Sequence, residues 1–195
     1  MTTIMEVYLV RHGQTDWNRD FICQGRIDNK LNEEGKKQAY DLALKIKESG
    51  LTFDKYLSTP LTRTKTTLNI IKEVLGVKDE SEEDAHFIER DFGALEGRDV
   101  YFVRKVIADN TAVNFENYEP DEKVAKRVYE GLLGLYKKYG DAKRILVVCH
   151  SHAIKNILHY LEPSKYDLAT HLDNMNVSLF EVSENSVKIK KAKVF

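Results

Sequence analysis

Short runs of apolar residues, each bounded by polar or turn-forming residues, recur along the chain. The runs at residues 6–10 and 54–58 predict short strands. Residues 144–149 contain a continuous run of branched aliphatic side chains, which is typical of a strand buried on both faces of a sheet. Residues 177–182 and 187–194 alternate apolar with polar positions, which predicts an antiparallel hairpin.

Apolar residues recur at helical spacing in the segments between these strands. One helix is predicted from Asn32, its N-cap, to Gly50. A second is predicted to start with Thr59 as its N-cap and to end at Gly76. Further helices are predicted at residues 100–109 and 124–138 and between His152 and Pro163.

The remaining segments show no sustained apolar period. The charged segment at residues 76–84 is interpreted as a solvated loop. A short strand is predicted at residues 87–89, followed by a loop with two glycines at residues 90–97. The polar stretch at residues 110–121 is predicted to separate two helices.

Strands that alternate with helices predict an α/β protein. The expected fold is a three-layer α/β/α sandwich with a mostly parallel central sheet. No repeat, low-complexity stretch or Pro/Gly/Ser linker divides the sequence, so residues 1–195 are predicted to form a single domain. Because ligands bind beyond the carboxyl ends of parallel strands, the loops at His12 and His150 are expected to lie together.

The overall charge balance provides no field that would recruit a polyanion. The chain has 30 Lys and Arg against 31 Asp and Glu, a formal net charge of -1, so neither nucleic acid nor an anionic membrane is an expected partner. Its apolar runs are far shorter than the roughly 18 residues of a membrane span, and the N-terminus lacks signal-peptide features. Two cysteines, Cys23 and Cys149, are too few for a disulfide scaffold. A cytoplasmic protein is therefore expected.

Four basic side chains are expected to converge where the predicted strands end. Arg11 and His12 follow the first strand, His150 follows the buried strand, and Arg63 falls in the first turn of a helix. A guanidinium group matches two phosphate oxygens, and a neutral imidazole is a competent nucleophile towards phosphorus. The cluster therefore suits a phosphoryl group. The residues leave the acid for the leaving oxygen open among several carboxylates: Glu82, Glu83, Glu89, Asp91 and Glu96.

A series of short motifs runs through the chain in a fixed order. They read Leu9-Val-Arg-His-Gly-Gln-Thr-Asp-Trp-Asn18, Cys23-Gln-Gly25 with Leu31-Asn-Glu-Glu-Gly35, Ser58-Thr-Pro-Leu-Thr-Arg-Thr64, Glu89-Arg-Asp-Phe-Gly-Ala-Leu-Glu-Gly97 and Val147-Val-Cys-His150. In sequence and order they resemble the phosphoglycerate-mutase-like branch of the histidine phosphatase superfamily, whose signature is RHG[ET]xxN. The resemblance covers about residues 7–154 and implies a phosphoglycerate-mutase-like fold.

The resemblance implies a role for each matching residue. His12 would be the nucleophile that becomes phosphohistidine, and Glu89 would donate a proton to the leaving oxygen and then accept one from water. Arg11, Arg63 and His150 would hold the phosphoryl oxygens. The other residues expected at the phosphate are Asn18, Gln24, Gly25 and Ser151. Neither a metal nor a cofactor is expected, because two arginines and a second histidine can neutralise the phosphoryl charge.

Two departures separate this chain from the glycolytic mutases of that family. The interval between Glu89 and His150 is shorter here. Those mutases carry in it a Trp-Arg-Arg-type segment that clamps the substrate carboxylate, whereas the only tryptophan here is Trp17 and no two arginines are adjacent. A mutase must exclude water while a phosphatase must admit it. The expected activity is therefore metal-independent hydrolysis of a small phosphorylated metabolite.

Two other functions stay open at this point. Phosphoglycerate mutase is the first alternative, because Arg98, Arg104 and Lys105 offer cations for a different second anion site. A non-catalytic sensor of a phosphorylated ligand is the second, although a sensor needs neither a nucleophile nor an acid. The sequence does not determine the leaving group or the oligomeric state, which includes the possibility of a homo-oligomer.

Two residues beside the predicted nucleophile pocket have alternative interpretations. His150 and His152 form an H-x-H pair that is a candidate for zinc. No motif gathers further ligands around this pair, so His152 is interpreted as a histidine at the rim of the pocket or behind it. Cys149 ends a buried apolar run and is interpreted as an inert, packed thiol.

Overall fold

One six-stranded sheet forms the centre of the molecule. The computed structural model describes residues 4–169 and 171–195. The strands are β1 (Met5–Arg11), β2 (Lys55–Ser58), β3 (Glu82–Glu83), β4 (Arg144–Cys149), β5 (Val177–Ser183) and β6 (Ser186–Lys191). They lie in the order β3-β2-β4-β1-β5-β6. The first four in that order are parallel, whereas β5 is antiparallel to β1 and to β6.

Helices cover both faces of this sheet. They are α1 (Asp16–Arg19), α2 (Glu33–Ser49), α3 (Thr62–Leu75), α4 (Val100–Ala108), α5 (Asp121–Lys138) and α6 (Ser151–Leu161). On one face α2 and α3 pack against Tyr8 and Val148, and on the other α5 and α6 pack against Val7 and Val147. The predicted three-layer α/β/α sandwich with a mostly parallel sheet is confirmed. No helix in the described part of the chain is long and apolar enough to cross a membrane.

Strand β4 lies between β2 and β1 and confirms the prediction of a strand buried on both faces. Ile145, Val147 and Cys149 face the core under α5 and α6. Leu146 and Val148 face the core under α2 and α3. All of them are fully buried, and full burial of an aliphatic side chain contributes about 1.5–3 kcal/mol. Packing on both faces therefore fixes the position of β4 and of the start of the loop that follows it.

The prediction that Thr59 caps the second long helix is wrong. Helix α3 begins at Thr62, and its N-cap residue is Leu61, which makes no side-chain cap. Asp28 from another loop supplies the missing acceptor, because its carboxylate oxygens accept from the Thr62 amide and hydroxyl, each at 2.7 Å. A carboxylate is favourable at a helix N-terminus. The hydroxyl of Thr59 is engaged elsewhere, at His150.

Two predictions between α3 and α4 are also wrong. Within the predicted solvated loop at residues 76–84, Glu82–Glu83 forms β3, an edge strand that pairs with β2 only. The predicted strand at residues 87–89 is absent, and Ala85–Phe87 is a single 3-10 turn. Arg127 of α5 donates to the carbonyl oxygens of this segment instead of a neighbouring strand. Sequence patterns miss both features. A charged edge strand has no periodic apolar residues, and hydrogen bonds from a distant side chain to backbone carbonyl oxygens are not encoded in the local sequence.

Element ends differ from the predictions by a few residues. Helix α5 begins at Asp121 rather than at residue 124, and β6 ends at Lys191 rather than at residue 194. Helix α1 was not predicted, because it buries no residue. Single 3-10 turns at Gly93–Leu95 and Ala112–Asn114 were likewise not predicted.

A third apolar cluster stands apart from the two cores that flank the sheet. Its buried members are Cys23, Phe92, Leu95, Val103 and Ala112, and other side chains of α4 pack against it. Helix α4 and the residues that follow β1 and β4 line one cavity. The small cluster therefore holds α4 as a wall beside the carboxyl ends of the central strands.

Candidate active site

The carboxyl ends of β1 and β4 bring the two predicted histidine loops together. Arg11 and Cys149 are register partners at the ends of these parallel strands. One residue further on, the His12 amide donates to the Cys149 carbonyl oxygen at 3.1 Å. The rings of His12 and His150 lie edge to face with centroids 5.3 Å apart. The expected proximity of these loops is therefore present in the structure.

Arg63 ties three parts of the site together from the first turn of α3. Its side chain is fully buried. The Nε–H donates to His12 Nε2 at 3.2 Å. The other two guanidinium nitrogens donate to the carbonyl oxygens of Ile27 at 2.8 Å and Gly25 at 2.6 Å. A planar guanidinium with three partners is fixed in direction as well as in place.

His12 is held as a neutral base with its Nε2 lone pair in the site. Its Nδ1 lies 2.7 Å from the carbonyl oxygen of Gly13. Because a carbonyl only accepts, we assign the proton to Nδ1, which leaves Nε2 as the acceptor from Arg63. Burial, followed by the charges of Arg63 and Arg11, holds the pKa of His12 well below its ordinary value. This is the protonation state that attack on phosphorus requires.

His150 is oriented by a chain of hydroxyl groups. Its Nε2 lies 2.8 Å from Thr59 Oγ1, which in turn lies 2.8 Å from Thr64 Oγ1. Thr64 Oγ1 donates to the Leu61 carbonyl oxygen at 2.8 Å. We therefore assign a proton to His150 Nε2, with each hydroxyl donating to the next acceptor. Burial and then Arg63 lower the pKa of His150 well below its ordinary value.

Glu89 is the one carboxylate of the five open candidates that lines the cavity shared with His12. It is buried. Its Oε1 accepts from the amides of Arg90 at 2.9 Å and His152 at 3.0 Å. The second of these amides belongs to the first turn of α6, where unpaired N–H groups stabilise an anion. Glu96, by contrast, accepts from amides of the 25–27 loop and supports that loop.

The remaining predicted phosphate residues also line this cavity: Asn18, Gln24, Gly25 and Ser151. Asn18 lies on α1, where a capping box with Thr15 occupies its Oδ1. Its amide nitrogen is the group left to donate. Gln24 accepts from the Thr15 hydroxyl at 2.9 Å. A Cβ at Gly25 would lie 2.0 Å from Glu96 Oε1, and its φ of 43° is in the left-handed region. A glycine is therefore needed at this turn.

Two residues that the sequence analysis did not assign to the site support its histidines. Thr59 contacts His150 as described, and Asn174 Nδ2 donates to the His12 carbonyl oxygen at 2.9 Å. The position of Thr59 directly after β2, at the same sheet edge, is a signal that could have revealed it. Asn174 comes from the segment before β5, whose path no sequence pattern indicates. The guanidinium group of Arg11 also donates a hydrogen bond to this segment, at the carbonyl oxygen of Leu172.

The cavity has a volume of about 500 Å³, and its lining extends beyond the residues predicted to bind phosphate. Of the three cations considered for a second anion site, Arg104 lines it, whereas Arg98 and Lys105 do not. Lys155 of α6 is a further lining cation that the sequence analysis did not identify. The cavity is therefore large enough for a leaving group with polar contacts of its own.

The surroundings of His152 and Cys149 bear on their alternative interpretations. Within residues 4–169 and 171–195, no cluster of His, Cys, Asp or Glu side chains is arranged to hold a metal ion. His152 lines the cavity, and its ring packs edge to face against Phe92 at 5.0 Å. Burial raises the pKa of the Cys149 thiol. This thiol is fully buried and protonated, in agreement with an inert, packed role.

The three histidines of the site predict a loss of stability on mild acidification. The pKa values of His12, His150 and His152 all lie well below 6.5 in the folded protein. The unfolded chain therefore binds more protons below pH 6.5, and the free energy of unfolding falls as the pH drops through that value. Each histidine contributes a slope approaching about 1.4 kcal/mol per pH unit. Urea unfolding between pH 7.5 and 5.5 measures it.

The variant His152→Gln isolates one of these contributions. It is expected to reduce the slope of the free energy of unfolding by up to about 1.4 kcal/mol per pH unit. The carboxylates with lowered pKa values, such as Glu6 and Glu119, lose their contribution below their ordinary value of 4.5 and so lie outside this window. A flat stability profile between pH 7.5 and 5.5 would show that the histidines are not held neutral.

Comparisons with known proteins assign the family. The sequence model of the histidine phosphatase superfamily (branch 1) matches residues 7–194. The uncharacterized phosphatase PhoE of Bacillus subtilis (strain 168) is 35% identical over 185 residues, which cover 94% of this chain and 92% of that protein. The 2,3-bisphosphoglycerate-dependent phosphoglycerate mutase of Bradyrhizobium diazoefficiens is 30% identical over 164 residues, 79% of each chain. The chain belongs to the histidine phosphatase superfamily.

Solved structures agree with the fold. A phosphoglycerate mutase from Bacillus anthracis superimposes with a TM-score of 0.84 over 97% of this chain and 93% of its own. At 19% sequence identity this similarity concerns the fold alone. The relatives at higher identity include both a phosphatase and a mutase, so the reaction must be argued from the residues of the site.

Proposed function

We propose that this protein is a metal-independent phosphomonoesterase that acts on a small phosphorylated metabolite through a phosphohistidine at His12. The observation that carries the proposal is the state of His12. Its Nδ1 proton is directed to Gly13 and its Nε2 lone pair is free of a proton, beside the guanidinium of Arg63. Glu89 lines the same cavity as His12 and would serve as both the acid and the base of the reaction.

In the first half-reaction the phosphoryl group moves from the substrate to His12. The Nε2 lone pair forms the N–P bond as the bond between phosphorus and the leaving oxygen breaks. Glu89, in its protonated form, donates its proton to that oxygen. The Gly13 carbonyl oxygen, which accepts from Nδ1–H, stabilises the positive charge that develops on the ring. The leaving alcohol then departs with the proton from Glu89.

In the second half-reaction water returns the enzyme to its starting state. The Glu89 carboxylate accepts a proton from water as the water oxygen attacks phosphorus. The N–P bond breaks, its electron pair returns to His12 Nε2, and inorganic phosphate leaves. Glu89 is then protonated for the next cycle, so one group serves as acid and base in turn.

The charge of the transferring group is balanced by side chains in this scheme. Arg11 and Arg63 supply two guanidinium groups next to His12, and burial makes their charges effective. Arg63 exchanges its bond to His12 Nε2 for a phosphoryl oxygen when the substrate enters. The side-chain amide nitrogen of Asn18 adds a hydrogen bond. Positioning and charge neutralisation are the main requirements of phosphoryl transfer, which supports a reaction without a metal.

Hydrolysis of p-nitrophenyl phosphate tests this proposal directly. We expect steady release of phosphate that is unchanged by EDTA, because the cations of the site are side chains. Loss of activity on chelation, with recovery on addition of a divalent metal, would contradict the metal-independent mechanism. The measurement is the rate of nitrophenolate release with and without chelator, followed by a panel of phosphorylated metabolites to rank kcat/KM.

Phosphoglycerate mutase activity is the second candidate. The 30% identity to the Bradyrhizobium mutase and the place of Arg104 in the cavity favour it. Incubation with 3-phosphoglycerate separates the two candidates, because a mutase forms 2-phosphoglycerate faster than it releases phosphate. We expect the opposite order. A sensor, the third candidate, would form no phosphohistidine with any substrate.

The proposal also covers the setting of the reaction. It assigns residues 1–195 to a single domain and places the protein in the cytoplasm, which the two free cysteines support. The substrate is a diffusible small molecule rather than nucleic acid or a membrane, in keeping with the net charge of -1. Both a monomer and a homo-oligomer are compatible with it.

A further inference from the structure

The cavity contains a buried cation that the proposed reaction does not use. Lys155 lies on α6 and lines the cavity, yet it is only 9% exposed. Among the described residues, its ammonium group makes neither a hydrogen bond nor an ion pair. The side chain is buried, but its ammonium nitrogen keeps contact with the cavity and faces, without an acceptor in the described part of the chain, the space that a ligand would fill. An anionic group of the ligand would supply that acceptor.

The charges around Lys155 are predominantly positive. Burial, followed by Arg104 and Arg11, lowers the pKa of Lys155 to about 8, whereas the charge of Glu89 raises it. It therefore still carries its charge at neutral pH. An anion beside it would relieve repulsion as well as supply the missing hydrogen-bond acceptor.

Two carboxylates also line this end of the cavity, and neither pairs with Lys155. Asp121 forms an ion pair with the buried guanidinium of Arg90. Asp167 is exposed, and its Oδ1 accepts from the Ala169 amide at 2.8 Å. Neither of these carboxylates therefore pairs with Lys155, and Glu89 is the cavity carboxylate that acts against the arginines around it.

The position of Lys155 relative to the phosphate end follows from helix geometry. Ser151 and Lys155 are four positions apart on α6 and lie on the same face. The helical rise separates them by about 6 Å. Helix α4 provides another wall through residues at three- and four-residue spacing: Val100, Val103, Arg104, Ile107 and Ala108. That face is apolar except for Arg104, which makes no ion pair among the described residues.

We propose that Lys155 and Arg104 bind a second anionic group of the substrate. The leaving group of the phosphoester would then have a short carbon body against the α4 face and a carboxylate or second phosphate at its far end. This inference rests on the proposed hydrolysis at His12. It differs from the Trp-Arg-Arg-type segment of the glycolytic mutases, because one of its two cations, Lys155, lies on α6, after His150.

Matched aryl phosphates test this second anion site. The probes are 3-carboxyphenyl phosphate, the neutral 3-carbamoylphenyl phosphate of similar shape, and benzene-1,3-diyl bisphosphate. We expect wild-type kcat/KM to be about tenfold higher for the anionic probes than for the amide, as a charged hydrogen bond provides. A larger preference for the bisphosphate over the carboxylate would identify phosphate as the second group.

The variants Lys155→Met and Arg104→Met are expected to remove most of that preference, and Lys155→Arg to retain it. Lys105→Met is the matched control, because Lys105 is exposed on α4, pairs with Asp109 and lies outside the cavity. Its preference ratio should equal that of the wild type. An unchanged ratio in both Lys155→Met and Arg104→Met would overturn the inference. Arg104 is exposed, so its variant tests the site even if Lys155→Met does not fold.

A binding measurement separates this inference from the proposed function. Calorimetric titration of the His12→Ala protein with 3-carboxyphenyl and 3-carbamoylphenyl phosphate should show the same preference without turnover. If the wild type hydrolyses none of the three probes while this binding preference is present, the proposed function fails and the anion site stands. If hydrolysis occurs with no preference in either measurement, the anion site fails and the proposed function stands.

Discussion

Replacing His12 with alanine is expected to lower kcat for phosphate release by on the order of 10⁴-fold or more. The reason is that His12 Nε2 carries the lone pair that would attack phosphorus, and that Gly13 and Arg63 fix its direction. Brief incubation of the wild type with ³²P-labelled substrate, followed by quenching in alkali, should trap label that is stable to base and lost in acid. The variant should trap none.

His86→Ala is the matched control for this experiment. That histidine is exposed, bonds to Asp84 and lies outside the cavity, so both turnover and trapped label should match the wild type. Binding of orthovanadate to His12→Ala, measured by calorimetry, reports whether the arginines remain in place. Activity of the His12 variant within tenfold of the wild type would require another nucleophile.

Replacing Glu89 with glutamine is expected to reduce kcat/KM for an alkyl phosphate by about 10²–10⁴-fold, the usual contribution of a general acid. Glutamine keeps an oxygen that can accept from the amides of Arg90 and His152 but has no proton to give to an alkoxide. The loss should be far smaller for p-nitrophenyl phosphate, whose leaving group departs without protonation. Because kcat/KM reports steps up to cleavage of the ester bond, the comparison isolates the acid role.

The inhibition constant of inorganic phosphate provides the second readout for Glu89→Gln. It should change much less than kcat/KM, because acid catalysis acts in the transition state. Glu83→Gln on the exposed edge strand is the control and should change neither value. A full rate for the alkyl phosphate in Glu89→Gln would remove this residue from its proposed role.

The arrangement of the histidines could be predicted because it depends on strands. A continuous aliphatic run marks β4 as a central strand, and the rule for parallel sheets then places His150 beside the residue that follows β1. Arg63 could be placed in the first turn of a helix for a similar local reason. Burial of the central strands on both faces explains why these predictions succeeded.

Glu89 could not be selected from local pattern, because long-range contacts determine its position. The chain before it is held by Arg127 of α5, and its carboxylate meets the first turn of α6. Only the resemblance to a family distinguished it from the other carboxylates. Thr59 was assigned to the wrong partner for the same reason: a threonine before a helix usually caps it, but this hydroxyl bonds to His150 across the sheet edge.

The separate apolar cluster beneath α4 has a consequence for how this protein can change over time. The proposed nucleophile His12, the arginines beside it and His150 depend on the sheet and its two flanking cores, whereas the α4 wall rests on a small cluster of its own. Substitutions along α4 can therefore alter which compounds fit while the strand ends stay intact. The substrate range can therefore diverge, in nature or by directed evolution, through substitutions on α4 that leave the proposed phosphoryl-transfer residues in place.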